Sequence, residues 1–350
     1  MTSLGAEVTM VGVDGTLKSG EGDYEFVPIW KEPIVSKNRL MRKVLFARTL
    51  LSNMRTFASF IKNRPERVVL FGGYFEYLAP LWAWRFRRLR RQGCRFGTIV
   101  HDPVRDFRVG PEWWHRKSIA SAYSFAEVGF VHGSTSVLTD ATGLKLVSIP
   151  MGPFAFPDSQ QTGKQLRDSL GVPDSAKVLL SFGHIRDGKN LDLLIAAIVQ
   201  QPNLHLLVAG SAQSSGQKPA SYYIELAKNL GISDRCHFQI RYIEDSEVAA
   251  FHEAADIIAL MYSGDFRSAS GALGTCIHYR KPCIASSGLG PLKDFVEKYS
   301  LGKWVPPDCA KSIEVGLLEM LRETPQADWA QFENDNSWEL NAKLVLEALA

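Results

Sequence analysis

Short apolar runs alternate with longer stretches of helical periodicity along most of the chain. In the first half, EVTMVGV (7–13), RVVLFG (67–72), RFGTIV (95–100), EVGFVH (127–132) and KLVSI (145–149) predict strands. Residues 36–63, 75–92 and 113–124 predict helices between them. The stretch IPMGPFAFPDSQQTG (149–163) interrupts the alternation with three prolines and two glycines and reads as a connection. Beyond it the pattern restarts. Strands are expected at 177–182, 204–209, 236–240, 256–261 and 282–286, and helices at 189–200, 220–231, 245–254, 270–279, 291–298 and 310–322. Strand–helix alternation of this kind predicts parallel sheets with crossover helices. The fold class is therefore α/β with two Rossmann-like domains in tandem. Domain limits are placed at 1–155 and 176–325, with a linker at 156–175 and a closing helical segment at 326–350.

Length and composition agree with two soluble-type domains: 350 residues, 45% hydrophobic and 22% charged. The five cysteines are odd in number and form no CxxC pair, and the opening MTSLGAEVTMVGVDG lacks the basic and apolar regions of a signal peptide. Reduced thiols and a cytoplasmic location are expected. The most apolar window (68–84) holds Glu76, a Gly-Gly pair and Pro80, so no transmembrane helix is predicted. The net charge of +3 does not indicate nucleic acid, and no recognition motif accompanies the basic residues. The charge is nevertheless concentrated in RFRRLRRQGCR (85–95). Aromatics interleaved with arginines over 78–92 fit either the outer face of a crossover helix or an anionic membrane surface.

Ligands of open α/β sheets bind at the carboxyl ends of strands, so the chemistry is sought in loops that follow strands. In LLSFGHIRDGKN (179–190), Gly183 lets the chain turn, and Arg186 and Lys189 precede a helix, where two cations can neutralise a diphosphate. In SASGALGTCIHYRKPCIAS (268–286), Ser270 and Gly271 lie at a predicted helix start. Its unpaired amides suit a phosphate, although a plain serine cap fits as well. A small-residue loop follows LLVAG (206–210). Arg241 and Tyr242 follow the next strand, where a base or ribose can rest, and Asp245 reads as the cap of the helix beyond.

These motifs recur in a recognisable order: FGxIRxxKN, LLVAG, YIEDSEV with a terminal AAD, Y-S-x(6)-SGAL, and Y-x-KP-x-IAS. Together they resemble the C-terminal domain of family 4 glycosyltransferases over residues 177–340, with NSWELNAKLVLEAL (336–349) similar to that family's closing helix. The resemblance implies the GT-B fold, two Rossmann-like domains facing each other across a cleft. It also implies retaining transfer of a sugar from a nucleoside diphosphate sugar to a hydroxyl, in polysaccharide or glycoconjugate synthesis. The acceptor is expected to be a saccharide or a lipid-linked saccharide.

By the same resemblance Arg186 and Lys189 act on the departing diphosphate. Gly183, His184, Gly210, Arg241, Tyr242, Ser270, Gly271 and Ala272 form the donor site. His184 stands where many members carry arginine. Two family glutamates fall at Arg267 and Thr275 in this chain, so a subset lacking them and carrying SGxL is the better match. In the first domain, GTIVHDPVRDF (97–107) brings His101 and Asp102 toward the acceptor, with His101 included in the catalytic group. GFVHGS (129–134) and IPMGPF (149–154) are similar to segments that line the cleft. The first strand, with Asp14-Gly15, looks more like the family's second strand, which implies a shortened or divergent start.

No cofactor is expected. No Asp-x-Asp or HxxxH spacing predicts a metal site, and no GxGxxG follows a strand, which argues against a dehydrogenase. Two alternatives stay open: a non-catalytic relative that partners another transferase, and a GT-B sugar-nucleotide epimerase.

Overall fold

The computed structural model describes residues 1–14, 23–34, 36–64, 68–73, 76–101, 110–133, 143–212 and 217–350. The chain divides into two compact units, Met1–Ile149 with Glu339–Ala350, and Pro150–Trp338.

The first unit opens with β1 (Thr9–Val13) and β2 (Glu25–Trp30), a parallel pair. A second sheet has the order β3 (Val68–Phe71), β4 (Arg95–Ile99), β5 (Val128–Val131) and β6 (Lys145–Ser148), all parallel. Helices Arg39–Lys62, Ala79–Arg91 and Glu112–Tyr123 connect or precede these strands. The sequence pattern missed β2, because Pro28 interrupts its apolar run and cannot donate a ladder hydrogen bond. Trp82, Phe86, Phe96 and Phe125 fill the core with edge-on and tilted ring contacts. Trp82 is thus a core residue at 1% exposure, whereas Trp84 on the same helix is 45% exposed under the Arg85 guanidinium. Gly97 of β4 is needed for packing: a β-carbon there would lie 2.8 Å from the Phe130 ring and 3.0 Å from Leu349. Leu349 and Val345 belong to helix Trp338–Leu349, which covers Val128, Phe130 and Ile149.

The second unit holds six parallel strands: β7 (Lys177–Phe182), β8 (Leu204–Ala209), β9 (Cys236–Gln239), β10 (Ile257–Met261), β11 (Cys283–Ser286) and β12 (Gly302–Val305). Their order is β12-β11-β10-β7-β8-β9. The chain runs outward from β7 to β9, returns to pair β10 with β7, and then runs outward on the other side. Every residue of β8 and β10 is buried, as expected of strands covered on both faces. The turning point of this order lies between β7 and β10, and open sheets bind ligands at such a point.

Two expectations about connections change. The span 156–175 contains helix Gly163–Ser169, capped by Thr162 and Gln165 in a reciprocal capping box. It docks through Arg167, which donates to the Ala254 carbonyl and pairs with Asp256 at 2.6 Å. A β-carbon on Gly163 would meet the Ala254 nitrogen at 2.5 Å, so this helix is packed in rather than linking. The closing span 326–350 is two helices, Trp329–Asp335 in the second unit and Trp338–Leu349, whose residues from Glu339 onward join the first. Strand β12 was also missed, because GKWV is short and carries a lysine. All five cysteines are free, four of them buried. Among the described residues no helix is long and apolar enough to cross a membrane.

Candidate functional site

At the carboxyl end of β7 the chain turns at Gly183 in the left-handed region, φ +94°. Gly210, at the end of neighbouring β8, has φ +147°, and a β-carbon there would lie 2.0 Å from the Gly183 carbonyl oxygen. These two glycines let the two loops press together. A short 3-10 turn, Asp187–Lys189, follows with Arg186 before it, and Asn190 then enters helix Leu191–Ala197 in the left-handed conformation. The Asn190 side chain donates to Asp308 at 2.9 Å, and Asp308 also accepts from the Gly264 amide at 2.9 Å. Asp308 therefore ties the β7 loop to the β10 loop. No local pattern marks Asp308 in the sequence, because its partners lie far away along the chain.

Lys189 folds back over its own loop. Its Nζ donates to the Phe182 carbonyl at 2.9 Å and lies 6.0 Å from the Tyr262 ring centre. Burial and the neighbouring Arg186 charge lower its pKa from 10.5 to about 8. An ammonium held in this way, short of opposite charge, is suited to receive an anion.

Tyr262 immediately follows β10 and is fully enclosed, stacked on Phe266 with ring centres 4.0 Å apart. Burial raises its pKa, so it stays a neutral phenol. Its hydroxyl lies 2.8 Å from the Ser270 Oγ. The Ser270 side chain therefore does not serve as the plain cap that the sequence allows. It is engaged with Tyr262 and makes no cap bond to helix Gly271–His278. The first amides of this helix thus keep the unpaired N–H groups and positive dipole end that favour an anion. A β-carbon on Gly271 would meet nothing within 4 Å, so the approach to them is open. Tyr262 was visible in the sequence as the residue ending an apolar strand run, but its role depends on this packing.

Lys189, Phe182, Tyr262, His252 and Ala272 line one cavity of about 10 Å³, room for a single water. His252 meets Phe182 edge-on, ring centres 4.9 Å apart, and burial lowers its pKa to about 4, so it is neutral. Its Nδ1–H donates to the Val248 carbonyl at 2.9 Å. Gly183, Arg186, Lys189, Gly210, Ser270, Gly271 and Ala272 are thereby gathered around the ends of β7, β8 and β10. His184 is exposed on the same loop.

Arg241 and Tyr242 follow β9, the sheet edge two strands from β7. Arg241 is clasped by Glu247 through two bonds of 2.5 and 2.7 Å, and Tyr242 is exposed. The cap of this turn is Glu244, in a capping box with Glu247, and not Asp245. Thr275 is buried within helix Gly271–His278, and Arg267 is exposed, its carbonyl 2.8 Å from where a Gly290 β-carbon would stand. In the first unit, His101 follows β4 and its Nε2–H donates to the Gly72 carbonyl at 2.7 Å, joining the ends of β3 and β4. Asp102 lies outside the described residues. No group of three or more metal-ligating side chains occurs among the described residues.

A family model described as "Glycosyl transferases group 1" matches residues 163–343. The D-inositol 3-phosphate glycosyltransferase of Mycolicibacterium gilvum is 32% identical over 94 residues, 27% of this chain and 21% of that protein. The matched stretch thus spans about a fifth of the length of that curated relative. Among solved structures, sucrose-phosphate synthase from Thermosynechococcus elongatus superposes with a TM-score of 0.72 at 17% identity, covering 99% of this chain and 89% of that one. HepE from Anabaena, solved with UDP-glucose, superposes with a TM-score of 0.67 at 16% identity, covering 88% of each chain. The fold shared with these structures is GT-B.

Proposed function

The chain belongs to the glycosyl transferases group 1 family, and from that premise we propose that it moves a sugar from a nucleoside diphosphate sugar to a hydroxyl, with retention and without a metal ion. The observation that carries this reading is the sharing of one small cavity by Lys189 and Ala272. A depressed-pKa cation and an uncapped helix start there converge on one point. Arg186 adds a second charge, near enough to depress the Lys189 pKa. Anion-binding groups fixed before the reaction stabilise charge that develops on the leaving diphosphate. As the bond from the sugar to the diphosphate breaks, a leaving phosphate oxygen takes the proton of the acceptor hydroxyl, and the new glycosidic bond forms on the same face. Lys189, Arg186 and the amides of Gly271 and Ala272 hold the diphosphate. The SGAL run, with Arg267 and Thr275 where the paired glutamates would fall, supports the reading of a family 4 subset that lacks that pair. His101 and Asp102 are assigned to the acceptor, a saccharide or lipid-linked saccharide.

The test is binding of UDP, GDP and ADP to the purified protein, followed by turnover of the corresponding sugar nucleotides. UDP-sugars come first, since HepE is solved with UDP-glucose. Tight binding of one nucleotide with turnover of its sugars supports the reading. Binding without turnover on any acceptor favours the non-catalytic relative, and binding of none overturns the donor site. Peripheral attachment through 78–92 belongs to the same reading. Outward-facing Leu81 and Trp84 with Arg88 and Arg91 supply its contacts, while Arg87 is held by Ser124 and Arg90 by Glu127. Salt-sensitive binding to anionic vesicles, lost in Arg88→Gln/Arg91→Gln, is the expected result.

A further inference from the structure

The first unit contains a cavity of about 550 Å³, within the size range of small-molecule sites. It lies between the first turns of helix Arg39–Lys62, the segment Glu76–Leu78 and helix Glu112–Tyr123. Its walls are apolar: Phe46 and Tyr77, packed edge-on with ring centres 6.0 Å apart, together with Ala47, Trp114 and Ile119. Leu78 takes φ +53°, a conformation costly for a bulky side chain and associated with ligand sites. Arg42 and Lys43 stand exposed at one edge. The carboxylate of Glu76, on the lining, already accepts from the Tyr123 hydroxyl at 2.9 Å, and His115 completes the titratable groups there.

From these features we propose that the first unit binds one single-chain amphiphile with an anionic head. Its apolar chain lies in the cavity, and the head meets Arg42 and Lys43. Water alone fills such a cavity poorly, because the walls offer it few partners and an apolar chain displaces it favourably. The two cations select an anionic head over a neutral one. The site stands whether or not the second unit binds a nucleotide. Under the function proposed above, its occupant is the apolar part of the acceptor.

The probe is dodecyl phosphate, titrated calorimetrically below the concentration at which it self-associates, with dodecyl maltoside and inorganic phosphate as controls. One dodecyl phosphate per chain is expected, with dodecyl maltoside at least tenfold weaker and inorganic phosphate silent. Arg42→Gln/Lys43→Gln should abolish the preference for the charged head. Ala47→Phe fills the cavity and should lower affinity at least tenfold. UDP affinity, measured on the same samples, reports folding of the variants and tests the donor reading separately. Binding only by micelles overturns the proposal, as does undiminished binding in Ala47→Phe. So does binding by inorganic phosphate alone, or attachment to anionic vesicles without uptake of the monomer.

Discussion

Lys189 starts from a pKa of about 8, and an arriving diphosphate supplies the opposite charge that raises it again. Below pH 8 the ammonium is already present. Above pH 8 the free protein holds a neutral amine, so binding takes up a proton. UDP affinity is therefore expected to be greatest below pH 8 and to fall as the pH rises. Calorimetry at pH 9 in two buffers of different ionisation heat reads that proton directly, and zero uptake would remove Lys189 from the site. Stability moves the other way. The folded-state pKa lies below the unfolded one, so between about 8 and 10.5 the unfolded chain binds more protons and Lys189 makes the fold more stable as pH rises. Replacing the charge altogether, by Lys189→Met or Arg186→Ala, should each weaken UDP binding by about 1.5–3 kcal/mol, the range for a charge-assisted hydrogen bond. Parent-like affinity in both variants would sink the phosphate assignment.

Two glycines separate binding from folding at the scale of the loops and helix starts. A β-carbon on Gly271 meets nothing, and alanine is the better helix former by about 1 kcal/mol. Gly271→Ala is therefore expected to keep or raise the melting temperature. It should also lower UDP affinity roughly tenfold, about 1.4 kcal/mol, because its methyl stands at the open start of the helix. Gly210→Ala should do the reverse. Its methyl would be forced to 2.0 Å from the Gly183 carbonyl in a left-handed backbone, at a cost of about 3 kcal/mol in stability. Thermal unfolding and UDP titration of the pair give the contrast. Equal loss of stability in both would mean that the helix start is a packing element only.

For the molecule as a whole, charge neutralisation is assigned to side chains and helix amides, so transferase activity is expected to survive EDTA. Complete loss on chelation, restored by Mg²⁺ or Mn²⁺, would require a different donor site. The two units also predict separable failures. Val345 is buried against the first sheet at 1% exposure, and Val345→Asp places an unpaired carboxylate there. A loss of about 3 kcal/mol or more is expected for the first unit, with UDP affinity in the second unit unchanged. Loss of both together would show that the units unfold as one.

Much of this protein is legible along the chain because its signals are local. Apolar runs show β7, β8 and β10 within a residue of their limits, and a glycine directly after β7 and β8 marks their turns. The cations Arg186 and Lys189 were visible for the same reason: residues three apart before a helix share its start. What the sequence did not contain was the outcome of long-range competition. Ser270 could cap its helix or bond elsewhere, and only the stacking of Tyr262 on Phe266 brings a phenol within 2.8 Å to claim it. The pKa of Lys189 depends on how deeply neighbouring loops bury it. Asp308 joins two loops whose residues are distant in the chain, and Arg241 is held by Glu247. β2 and β12 are too short, or too interrupted by proline and lysine, to stand out until a neighbouring strand supplies their partners. The cavity beside Phe46 and Tyr77 is formed by three segments that no periodicity connects. Local pattern determined the elements and the anion-binding loop, and tertiary packing decided which polar groups remain available, because a buried group's partners come from whatever the fold brings beside it.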